Sequence, residues 1–126
     1  MSGVLKSVGA VRIFVDDLDR ARRFYGDVLK LDERSATQEW VVYDLDGKDI
    51  VVEAVAPDDP ERETVGRFLA VSFAVDDIEA VYRDLTARGV SFVRGPEQQD
   101  WGGILAYPRD PDGNILTLVE YPMEAS

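Results

Sequence analysis

Arg12 is the one charge inside the run Ala10-Val11-Arg12-Ile13-Phe14-Val15, where a guanidinium is costly unless it is paired or solvated. The other groups with chemical reach are carboxylates: the neighbours Asp16-Asp17 and Asp76-Asp77, and the acids of Asp110-Pro111-Asp112-Gly113. The chain contains no His and no Cys, which removes Ser-His-Asp and Cys-His nucleophile systems, disulfides and thiolate chemistry. Paired carboxylates could serve general acid-base catalysis, but no two acids have a spacing that forces them together in a cavity. Asp16, Asp17, Asp76 and Asp77 stand where helices begin and read first as caps. Asp110, Asp112 and Gly113 read as a turn, and neither Gly47 nor Gly113 has the strand-to-helix context of a phosphate loop.

The elements that position these groups are duplicated. Ala10 to Asp19 returns sixty residues later as Ala70-Val71-Ser72-Phe73-Ala74-Val75-Asp76-Asp77-Ile78-Glu79, and Asp44-Leu45-Asp46-Gly47 is echoed by Asp110-Pro111-Asp112-Gly113. Val8 to Val15 predicts a strand; Leu18, Ala21, Tyr25 and Val28 then fall at helical spacing. Strands follow near Leu31 to Arg34, Glu39 to Tyr43 and Ile50 to Val55, with an Asp46-Gly47 turn between the last two. A loop rich in Pro, Asp and Glu runs from Ala56 to about Val65. The second half predicts a strand at Leu69 to Val75, a helix carrying Ile78, Val81, Tyr82 and Leu85 that Gly89 closes, and strands at Val90 to Val93, Ile104 to Tyr107 and Asn114 to Tyr121. The expectation is an α+β fold: two tandem βαβββ modules, about 8–55 and 68–121 of a single 126-residue domain, forming a cupped mixed β-sheet with helices outside. One helix covers one sheet face, so function is expected on the other.

Composition narrows the function classes. With 45% hydrophobic and 31% charged residues the chain reads as globular. A net charge of -11 argues against nucleic acid and anionic lipid as partners and is compatible with attraction of a cationic ligand. The start lacks an apolar signal core and no run reaches membrane-spanning length, so a cytoplasmic protein is expected.

Val15-Asp16-Asp17-Leu18 with Ala21, Phe24 and Tyr25, its repeat Val75-Asp76-Asp77-Ile78, and Asp110-Pro111-Asp112-Gly113-Asn114 together resemble the vicinal oxygen chelate superfamily of glyoxalases, bleomycin-resistance proteins and extradiol dioxygenases. The likeness runs from Val8 to about Tyr121. It implies a metal held by a His five residues before the Val of each Val-x-Asp-Leu motif and by a carboxylate on the last strand of each half. Here those positions hold Ala10 and Ala70, and Thr117 in the second half; in the first half either Glu53 or Val51 corresponds. One Glu, a Thr and two Ala do not make a divalent site, so no metal and no cofactor is expected.

If Ala10 faces the cavity, alternation places Arg12 and Phe14 there too; by the same rule Ala70 brings Ser72 and Ala74, and Thr117 brings Ile115 and Val119. Arg12 is expected to pair with Glu53, replacing the ion as polar anchor. Trp40, Trp101, Phe14, Phe68 and Tyr107 are candidate aromatic walls, Trp101 as a rim or lid residue in the loop Gln98-Gln99-Asp100-Trp101-Gly102-Gly103. Similar Trp-Gly segments precede the Asp-Pro-Asp-Gly motif in bleomycin-resistance-like proteins. The reading is therefore a metal-free homodimer that binds a small cationic or aromatic organic molecule, an antibiotic or an aromatic metabolite. The alternatives are a lyase, isomerase or dioxygenase-like enzyme using Glu53 as base with Arg12 or an atypical metal site, and a module that serves a partner protein.

Overall fold

A computed structural model describes residues 3–123 of the chain, which divide into two compact units between Glu63 and Thr64. Each unit is one module of the repeat and carries a four-stranded mixed sheet. In module 1 the strands are β1 (Ala10–Val15), β2 (Asp32–Ala36), β3 (Trp40–Leu45) and β4 (Lys48–Ala54), in the spatial order β1-β4-β3-β2. In module 2 they are β5 (Phe68–Ala74), β6 (Phe92–Gln98), β7 (Ile104–Pro108) and β8 (Ile115–Glu120), ordered β5-β8-β7-β6. First and last strands of each module pair in parallel and the other pairs are antiparallel, which is the duplicated α+β architecture that the repeat predicts.

Alternation decides which face of sheet 1 is buried. Ile13, Val52 and Val41 lie in register across β1, β4 and β3, as do Ile50 and Tyr43, and all are buried. Against this face pack Ala21, Phe24 and Tyr25 of the helical segment, the two rings meeting edge to face at 4.9 Å. Each buried aliphatic on this face contributes roughly 1.5 to 3 kcal/mol. The segment starts as α1 (Leu18–Arg22), capped by Asp17, whose side chain accepts from the Arg20 N–H at 3.0 Å. It then widens into a π-helical turn, Arg23–Val28, closed by the Leu29 N–H donating to the Phe24 carbonyl at 2.9 Å, a wider turn than the single helix expected there.

Helix α2 (Ile78–Ala87) is capped by Asp77, while Glu120 on β8 accepts from the Ile78 N–H at 2.9 Å. It ends as expected at Gly89, whose φ of +90° suits glycine. Asp46 and Gly47, with φ of 54° and 79°, make the two-residue turn of the β3–β4 hairpin.

Three local expectations change. The linking loop contains a 3-10 turn, Pro60–Thr64, and Arg62 in it pairs with Asp16. Strand β2 sits two residues further along than expected at its C-terminal end, all of it exposed at the sheet edge. Strand β6, expected at Val90 to Val93, starts at Phe92 and runs on to Gln98 through Gly95 and Pro96; it is an edge strand with two register irregularities, where a missing N–H is tolerated.

Candidate functional site

Two residues of β1 and one each of β3 and β4 converge on the helix-free face of sheet 1. Arg12 pairs in register with Val51, and Phe14 with Glu53, which in turn lies opposite Trp40. The Arg12 guanidinium donates from Nε to Glu53 Oε2 at 2.6 Å and from Nη2 to Oε1 at 3.1 Å. Its Cζ lies 5.0 Å from the centre of the Phe14 ring. The hydrogen bond to Glu53, and then its charge, hold the Arg12 pKa above its ordinary value. The Arg12 side chain remains 54% exposed and that of Glu53 22%, so a fixed, bidentate ion pair stands open to an incoming group. Trp40 is 40% exposed beside it, whereas Phe14 is buried.

Toward the hairpin the same face carries Asp44 opposite Asp49, a like-charge pair that Arg34 on β2 bridges, donating to Asp49 at 2.6 Å and also to Asp44. Sequence reading missed this second polar cluster; the signal was the alternation of β3 and β4, which puts Asp44 with Trp40 and Asp49 with Glu53.

The register also settles which first-half residue corresponds to Thr117. Thr117 pairs with Ser72 on the neighbouring parallel strand, and the repeat equates Ser72 with Arg12, whose partner is Val51. Val51 is thus the counterpart of Thr117, and Glu53 lies two residues beyond it on the same face. The expected metal positions then hold Ala10, Ala70, Val51 and Thr117, a set that does not fit a divalent ion: three have no donor side chain, and the Thr117 hydroxyl lies 3.5 Å from the Leu69 carbonyl. No cluster of three or more His, Cys, Asp or Glu able to hold a metal occurs among the described residues. The Asp-Pro-Asp-Gly acids form a turn, with Asp110 accepting from the backbone N–H groups of Asp112 and Asn114 at 2.9 and 2.8 Å.

In module 2, Ser72 and Thr117 are cross-strand partners, and Tyr107 on β7 meets the Phe68 ring at 6.1 Å. Trp101 is not on the sheet. It lies in its loop, 54% exposed, packed beside Tyr121 at 6.3 Å and folded over Gly103, where a Cβ would come within 2.0 Å of the indole. Of the expected ligand residues, then, the structure brings together Arg12, Phe14, Trp40 and Glu53 in one module, pairs Ser72 with Thr117 in the other, where Tyr107 meets Phe68, and leaves Trp101 with Tyr121.

Comparison with known proteins agrees with this architecture. Residues 7–118 match the Glyoxalase/Bleomycin resistance protein/Dioxygenase superfamily. The chain belongs to that superfamily. A crystal structure of a superfamily member from Sphaerobacter thermophilus is similar at a TM-score of 0.76 and 29% identity, over 93% of this chain and 98% of that one. A bleomycin resistance protein from Klebsiella pneumoniae is 28% identical over 88 residues, which is 64% of this chain and 67% of that protein. A lactoylglutathione lyase from Agrobacterium tumefaciens shares the superfamily fold at a TM-score of 0.75 and 20% identity, over 92% of this chain and 94% of that one. No helix among the described residues is long and apolar enough to cross a membrane.

Proposed function

We propose that the chain is a cytoplasmic, homodimeric binding protein of the glyoxalase/bleomycin-resistance type, which takes up a small aromatic or cationic molecule without a metal ion. The observation that carries this reading is the exposed Arg12–Glu53 pair, flanked by Phe14 and Trp40, on the same sheet face as Ala10 and Val51, the first-half positions that correspond to the implied metal ligands. A flat ring can stack on the indole while its polar substituent bonds to the free edges of the ion pair. The net charge of -11 favours a cationic ligand, and the partial likeness to a bleomycin resistance protein supports the same ligand class. Glu53 is engaged through both oxygens, which suits an anchor better than a free base.

The test is calorimetric titration of the purified chain with bleomycin and with a planar acridinium dye, in buffer containing EDTA. Saturable binding that needs no added metal supports the reading, and its absence for both probes, or turnover that requires a divalent ion, overturns it.

A further inference from the structure

The opposite, helix-covered side of sheet 1 carries an unsatisfied group. Tyr43 is 1% exposed, and its hydroxyl has no hydrogen-bond partner among the described residues. A buried hydroxyl is costly to leave unpaired and calls for an explanation. This one borders a cavity of about 370 Å³ lined by Arg22, Arg23, Gly26, Asp27, Leu31 and Glu33, a volume within the roughly 300 to 1,000 Å³ of ligand pockets. The π-helical turn sets Gly26 over the hydroxyl: a Cβ there would lie 3.4 Å from Tyr43 Oη. Widened turns of this kind recur at functional sites.

The lining has no net charge but carries both signs. Arg22 is already held by Glu33 at 2.8 Å, which leaves Arg23 and Asp27 as opposite charges on the exposed rim. An ion of one sign gains from one rim residue and is repelled by the other. A compact molecule with both signs matches both, with one oxygen left for the phenol. We infer that this cavity is a binding site for a small zwitterion of amino-acid size, with the Tyr43 hydroxyl as its floor contact. The site is separate from the Arg12–Glu53 face, because Tyr43 and Ile50 point to the helix side of the sheet while Val42 and Val51 point away from it. Burial holds the phenol's pKa above its ordinary value, so near neutral pH it remains a donor.

The experiment titrates the full chain with glycine, serine, glutamate and arginine by NMR, with acetate and methylammonium as single-charge controls. Expected is saturable binding of at least one amino acid, with shifts centred on residues 22–33 and Tyr43, and no comparable binding of the controls. Tyr43→Phe, which keeps the ring, should weaken that binding about tenfold. Gly26→Ala, whose methyl fits at contact distance but covers the hydroxyl, should abolish it. Failure of every amino acid to saturate, equal binding of acetate, or wild-type affinity in both variants would overturn the inference.

Discussion

Arg12 and Glu53 are not register partners. They sit one step apart diagonally on adjacent parallel strands, and the guanidinium crosses that step to hold both carboxylate oxygens, at 2.6 and 3.1 Å. The diagonal brings the charge over the Phe14 ring and leaves the pair's outer edge open next to Trp40.

Replacing Glu53 with Gln should therefore separate a binding role from a structural one. The pair is open to solvent, and exposed pairs add little to stability. The thermal midpoint should hardly move, while affinity for an aromatic cation, read by calorimetry, should fall about tenfold or more.

Asn114 should behave in the opposite way. It is fully buried, its side-chain oxygen accepts from the N–H groups of Gly66 and Arg67 at 2.9 and 3.2 Å, and its amide donates to Asp110 at 2.8 Å. Asn114→Ala strands these groups and should cost about 2 to 4 kcal/mol in urea denaturation. Ligand affinity at the Arg12–Glu53 face should stay unchanged under conditions where the variant is folded.

Much of this was legible in the sequence, for definite reasons. The repeat fixes two βαβββ modules, and period-two alternation puts Arg12, Phe14 and Glu53 on one face whichever residue of β4 corresponds to Thr117. That same alternation is why Glu53 and Val51 could not be told apart: a slip of two residues preserves the face, and only the pairing of Arg12 with Val51 and Ser72 with Thr117 distinguishes them. The π-helical turn had no sequence signature, since Leu18, Ala21, Tyr25 and Val28 suit an ordinary helix equally well. Tyr43 enters the sequence reading only as the end of a strand, and the lack of a partner for its hydroxyl among the described residues follows from three-dimensional packing alone.

Tyr43 also gives a pH dependence of stability. Burial first, and then the charge of Glu33, raise its pKa in the folded chain above the unfolded value, so the folded state holds the phenolic proton more tightly. The associated stability is complete below the ordinary tyrosine pKa of about 10 and is lost as pH rises through the higher folded value. Tyr43→Phe should flatten this alkaline loss in denaturant titrations made at successive pH values.

Gly103 holds the Trp101 indole by having no side chain. In Gly103→Ala the Cβ would need space the ring occupies, so the indole should swing outward. Trp101 emission, observed in a Trp40→Phe background, should shift to longer wavelength with far-UV circular dichroism unchanged.

Trp40 offers the most direct measurement, because with Trp101 replaced by Phe it is the sole indole of the chain and lies opposite Glu53. Its fluorescence should be quenched saturably by a planar aromatic cation in EDTA, and the quench should weaken in Glu53→Gln, which leaves Arg12 as an unpaired positive charge, and differ from wild type in Arg12→Met. Quenching that appears only when a divalent ion is added, or that is identical in all three proteins, would contradict the assignment of the Arg12–Glu53 face as a metal-independent ligand site.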